Sequence, residues 1–134
     1  MDVLEQHNMV GSKPVQTPLS TSSMLQLFDG SLPVNGTLYR QAIGSLQYLL
    51  ISHPDIAFAV YKLFQFMHAP NTQCWSAVKR LLRDLNGTRS YGLLFLSNCS
   101  LSLHGFCDAN WVGNTDDRTS TGVYIIFLGT NPIS

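Results

Sequence analysis

The sequence predicts an α+β chain in which three helices precede the first strands of a sheet, and three observations carry that reading. Apolar residues recur at helical spacing from Leu38 to Leu85. After Asn86-Gly87 the spacing gives way to runs rich in Leu, Phe, Ile, Val and Tyr. Proline, glycine and hydroxyl residues crowd the first 37 positions. An apolar content of 45% over 134 residues is enough for a core.

The elements follow in order. A short amphipathic piece runs from Val3-Leu4 to Met9-Val10, and G-S-K-P-V-Q-T-P-L-S-T-S-S after it reads as linker, because proline removes a donor and Ser and Thr compete for the backbone. Tyr39, Ile43, Leu46 and Leu50 then form one helical stripe. Ser52-His53-Pro54-Asp55 predicts a stop and restart, with Ser52 as N-cap and Pro54 in the first turn. The second stripe is Ile56, Val60, Leu63 and Met67, widened by Phe64 and Phe66 and ended by Ala69-Pro70. A third helix from Asn71 or Thr72 buries Trp75, Val78, Leu82 and Leu85 and closes at Gly87 as a left-handed C-cap. Strands are predicted at Tyr91–Leu96, Leu101–Asp108 and Ser120–Leu128, with a polar loop over 109–119. Strand alternation sets Leu101, Leu103 and Cys107 against His104, Phe106 and Asp108.

Eight basic and eight acidic residues cancel, so any function written in charge is local. Lys79, Arg80, Arg83 and Arg89 fall within eleven positions, a candidate contact for a nucleic-acid backbone or a solvated face. Asp108, Asp116 and Asp117 fall within ten. Asp108 at a strand end is either a Mg²⁺ ligand or an ordinary polar residue, since metal-ion hydrolysis takes several converging carboxylates. Cys99, His104 and Cys107 do not compose a zinc site, because His104 and Cys107 face opposite sides of a strand. Three cysteines without paired spacing, no signal segment and no apolar run of spanning length predict an intracellular protein of cytoplasm or nucleus, not secreted. The N-x-S/T triplets at Asn35, Asn86 and Asn98 therefore read as chance. No phosphate loop or nucleophile motif points to a small-molecule substrate.

Seven blocks stand in order: L-Y-R-Q-A-I-G-S-L-Q-Y-L (38–49), H-P-D-I-A-F-A-V (53–60), F-M-H-A-P (66–70), W-S-A-V-K-R-L-L-R (75–83), Y-G-L-L-F (91–95), C-D-A-N-W-V-G (107–113) and D-D-R-T-S-T (116–121). Together with K-P-V-Q-T-P (13–18), they resemble the copia-type retrotransposon Pol polyprotein at the junction of reverse transcriptase and ribonuclease H. The resemblance covers nearly the whole chain and implies its organisation. Residues 1–37 would be a short helix and a Pro/Ser/Thr-rich linker, 38–90 a three-helix connection segment after the reverse transcriptase palm, and 91–134 the first strands of a truncated ribonuclease H-like mixed sheet.

By the same resemblance, Asp108 is a catalytic ligand of a two-metal site that hydrolyses RNA in an RNA/DNA hybrid. Mg²⁺ is the cofactor of the intact family, held stably by no fragment of this extent. The partner is template-primer or RNA/DNA hybrid, and no membrane is involved. The polymerase motif Tyr-Val-Asp-Asp and the later acidic ligands do not occur among these residues, so a chain inactive by itself is expected. The alternative is a non-enzymatic nucleic-acid-binding module using Lys79, Arg80, Arg83 and Arg89. The chain departs from the family's usual residue at His53 (Arg), Cys74 (His), Asp84 (Tyr) and Asn110 (Asp).

Overall fold

The computed structural model describes residues 3–20, 25–26, 30–110 and 120–133. It has a mixed α+β architecture and divides into two compact units, Met1–Gly92 and Leu93–Ser134. Helices α1 (Val3–Gln6), α2 (Gly36–Leu49), α3 (Ala57–Phe64) and α4 (Thr72–Gly87) belong to the first, and strands β1 (Leu103–Asn110), β2 (Thr121–Leu128) and β3 (Asn131–Pro132) to the second.

The first unit is organised by the stripes the sequence displays. Tyr39, Ile43 and Leu46 of α2, Val60 and Leu63 of α3, and Val78, Leu81 and Leu82 of α4 meet in one core. Burying each such aliphatic side chain stabilises by roughly 1.5–3 kcal/mol. Tyr39 is fully buried because its hydroxyl donates to the Leu63 carbonyl at 2.8 Å. That bond joins α2 to α3 and satisfies the polar end of an otherwise apolar side chain. Leu4 and Leu25 enter the same core from the N-terminal segment.

The helix ends differ from expectation in three places. Ser52 does not cap. Its hydroxyl donates back to the Leu49 carbonyl, and the restart is a 3₁₀ turn, Pro54–Ile56, preceded by His53. Pro54 sits at the start of that turn, where its missing amide would have had no helical partner, and 3₁₀ turns of this kind commonly open α-helices. Next, α3 stops at Phe64, and Phe66, Met67 and Ala69 each donate to the carbonyl three residues back. This tightening turns Phe66 into the core and leaves Phe64 exposed. Finally, Gly87 is helical and Thr88 caps α4, donating both its amide and its hydroxyl to the Asp84 carbonyl. The glycine answers to close approach instead of left-handed geometry, since a Cβ there would lie 3.1 Å from the Pro14 side chain.

At its other end α4 is held by Asn71, whose side-chain oxygen accepts from the Cys74 amide at 2.9 Å while its amide nitrogen donates to the Gln26 carbonyl. Asn35 caps α2 by accepting from the Thr37 and Leu38 amides.

In the second unit β1 and β2 pair antiparallel, Leu103 opposite Leu128 through Asn110 opposite Thr121, and β3 pairs antiparallel with the end of β2. Tyr91–Leu96 is not a strand. No backbone ladder forms there. Instead the Asn131 side chain donates to the Leu96 carbonyl and accepts from the Leu96 amide, both at 2.8 Å, which satisfies the backbone groups of Leu96 as a neighbouring strand would. The turn from β2 to β3 needs Gly129, whose φ is +61° and where a Cβ would collide with the Ser100 carbonyl oxygen.

Candidate functional site

Amphipathic α4 aims its apolar face inward and so presents Lys79, Arg80 and Arg83 on the opposite side, one turn or less apart. Lys79 is exposed, and Arg80 and Arg83 are half-buried. Arg89 does not share this face. It lies past the helix end, in the turn closed by the Tyr91 amide and the Thr88 carbonyl.

The half-burial of the two arginines has a source that sequence patterns did not show. The N-terminal linker lies along α4. Arg80 donates through Nε to the Thr17 carbonyl at 3.2 Å and through Nη2 to the Thr17 hydroxyl at 2.7 Å. Arg83 donates through Nε to the Lys13 carbonyl at 2.7 Å. The Asn86 side chain donates to the Ser12 carbonyl, and the Val15 amide donates to the Arg83 carbonyl. Beside this contact lies a groove of about 700 Å³, lined by Ser20, Leu25 and the Ser76, Lys79, Arg80 and Arg83 side of α4. Three cations with hydroxyls around them give a site chemically suited to phosphate oxygens.

Asp84, between Arg83 and Leu85 on α4, is buried at 4% exposure. Burial raises its pKa, the charge of Asp55 adds to that, and Arg80 opposes both. Cys74 is also buried, as a small apolar residue of the core. His53, at the 3₁₀ turn, places Nδ1 4.0 Å from Asp55 Oδ1.

Asp108 lies on β1, opposite Val123, and is exposed. Its side chain accepts from the Ala109 amide at 2.8 Å. Strand parity puts it on one face with His104 and Phe106, across from Val123, Ile125 and Phe127, and opposite to Cys107. Among the described residues no three His, Cys, Asp or Glu side chains gather where a metal ion could be held. Asp116 and Asp117, with the polar loop around them, lie outside the described residues. Among the described residues no helix is long and apolar enough to cross a membrane.

No family model and no solved structure matches the chain. Curated relatives do. Over all 134 residues it is 46% identical to the retrovirus-related Pol polyproteins from transposons RE2 and RE1 of Arabidopsis thaliana. It is 37% identical over 135 aligned positions, 95% of its length, to the retrovirus-related Pol polyprotein from transposon TNT 1-94 of Nicotiana tabacum. The chain spans 9% of the two Arabidopsis proteins and 10% of the tobacco one. The identity runs along the full length, and the same type of protein recurs in two plants: the chain's homologues from end to end are copia-type retrovirus-related Pol polyproteins of transposons.

Proposed function

We propose that the chain is the part of a copia-type Pol polyprotein where the reverse transcriptase gives way to ribonuclease H. Residues 38–90 follow the polymerase core and hold template and primer through the basic side of α4. Residues 91–134 open the ribonuclease H domain, with Asp108 on its first strand as one acidic ligand of a Mg²⁺ site. The observation that supports this reading is the 46% identity to a Pol polyprotein over the whole length of the chain. Nucleic acid, as template-primer or RNA/DNA hybrid, is the partner that the lysine and arginines of the groove fit.

Divalent ions, when bound in such a site, activate the attacking water and stabilise the leaving oxygen, and they require several carboxylates at once. Asp108 is a single carboxylate, and the described residues do not compose such a site around it. On this reading the 134-residue chain contributes nucleic-acid contacts and one of the acidic ligands, and no cleavage is expected from it alone.

The test is fluorescence anisotropy with a labelled RNA/DNA hybrid at several salt concentrations, run beside a Mg²⁺-dependent cleavage assay. Binding should weaken with salt at a logarithmic slope of about −2 to −4, corresponding to two to four phosphates, and should weaken further on Lys79→Gln or Arg83→Gln. Salt-independent binding, or cleavage that Asp108→Ala abolishes, would overturn the reading.

The second reading, a non-enzymatic binding module outside any polyprotein, is favoured by the groove, whose described lining residues all belong to the first unit. It predicts the same binding from residues 1–92 without the strands.

A further inference from the structure

We propose that the linker residues Lys13 and Thr17 are positioning groups that set Arg83 and Arg80 at the rim of the α4 groove for contact with a phosphodiester backbone. The inference rests on the nucleic-acid reading above and deepens it, because it assigns a role to a segment that composition marks only as linker.

Each of the two acceptor residues directly precedes a proline, Lys13-Pro14 and Thr17-Pro18. A residue before proline is confined to extended backbone, so its carbonyl direction is fixed before any contact forms. The two carbonyls meet the Nε edges of Arg83 and Arg80, at 2.7 and 3.2 Å, and the Thr17 hydroxyl takes Arg80 Nη2 at 2.7 Å. The linker is itself anchored from the helix side. Asn86 holds the Ser12 carbonyl, the Arg83 carbonyl accepts from the Val15 amide, and Pro14 sits over Gly87 where any side chain would crowd it.

Two features of this contact favour positioning over blockage. Its acceptors are neutral, so the guanidinium charges are not cancelled as a carboxylate would cancel them. It also consumes few donors. A guanidinium has five N–H groups, and among the described residues Arg80 Nη1 and both Nη atoms of Arg83 make no hydrogen bond. Both arginines line the groove together with Lys79, Ser20 and Ser76. An arginine held along its stem edge with Nη donors still open, one on Arg80 and both on Arg83, is ready for an incoming phosphate without first losing side-chain freedom.

The experiment uses the full chain, a fluorescein-labelled RNA/DNA hybrid and the variant Thr17→Val, which keeps the branched shape and the carbonyl and removes only the hydroxyl acceptor. Affinity should fall about two- to tenfold, the effect of freeing one immobilised side chain. The salt slope and the thermal melt should not change, because the same phosphates are contacted on the same fold. In an Arg80→Gln background Thr17→Val should have no further effect, a coupling that a purely structural role would not produce. Unchanged affinity in Thr17→Val would sink the inference, and so would an equal loss in both backgrounds. Tighter binding would make the linker a competitor for the arginines and overturn it in the opposite sense. Wild-type protein that fails to bind the hybrid removes the nucleic-acid reading itself, whereas wild-type binding with an indifferent Thr17→Val removes only this inference.

Discussion

Replacing Asp84 by asparagine should stabilise the helical unit at neutral pH. Asp84 is 4% exposed on α4, with its pKa raised first by burial and second by Asp55. Burying a charged or polar group with incomplete hydrogen bonding costs about 1–3 kcal/mol. Its place in the last turn of α4, at the negative end of the helix dipole, adds roughly 0.3–1 kcal/mol. Arg80, one turn earlier, offsets about 0.3–0.5 kcal/mol. Asparagine keeps the shape and still buries a polar group, so Asp84→Asn recovers the charge-borne part, about 1–2 kcal/mol.

For a unit the size of Met1–Gly92 this raises Tm by about 4–8 °C per kcal/mol. Far-UV circular dichroism at helical wavelengths follows that unit, because every described helix belongs to it. The pH dependence supplies the decisive control. The folded-state pKa lies above the ordinary aspartate value of 3.8, so between the two the folded protein holds more protons than the unfolded chain, and stability falls as pH rises through that window. The full penalty stands at neutral pH and vanishes below both values. The advantage of asparagine must therefore shrink on acidification toward about pH 3. No gain at neutral pH, or a gain that persists undiminished in acid, would refute the reasoning.

Other expectations follow from single contacts. Asn71→Ala removes the cap of α4 and leaves the Gln26 carbonyl without its side-chain donor, so chemical denaturation should show a loss of about 1–3 kcal/mol. Tyr39→Phe should cost less, about 0.5–1.5 kcal/mol, because the Leu63 carbonyl keeps the Phe66 amide as a second partner. Gly129→Ala, at φ +61° and against the Ser100 carbonyl, should cost more than about 1 kcal/mol and collapse the amide dispersion of β2 and β3 in NMR spectra while leaving the helical resonances in place. Among the described residues the buried Nε2 of His7 has no hydrogen-bond partner, its ring meets that of Trp75 in a T-shaped pair, and burial lowers its pKa. The unfolded chain then takes up the proton first, so this contribution is present above about pH 6.5 and is lost as pH falls through the lowered folded value. His7→Phe should remove that acid sensitivity in melts compared between about pH 7.5 and 5.5.

The helical core was legible because its signal is local. Tyr39, Ile43 and Leu46 share a face by spacing alone, and the structure buries all three. Element ends were less legible, since they depend on which backbone groups find partners: Gly87 looked like a left-handed cap, yet Pro14, seventy-odd positions away, explains the glycine. Tyr91–Leu96 has strand composition, and nothing nearby in sequence announces that Asn131 would satisfy Leu96 with a side chain. The positions of the candidate site's cations could be read from their spacing on α4. Their engagement by Lys13 and Thr17 could not, because a neutral carbonyl leaves no mark in composition.

The linker contact also fixes an order of assembly. Its bonds join residues 63, 70 and 74 positions apart, and they are polar bonds near the surface that bury little apolar area. Closing loops of that length before the helices have docked loses chain entropy for almost no return. The segment from Ser12 to Thr17 therefore zips onto α4 only after the core has formed and peels away ahead of global unfolding. Its amides should exchange earlier, and its peptide bonds be cut sooner, than those of the helical core it lies on.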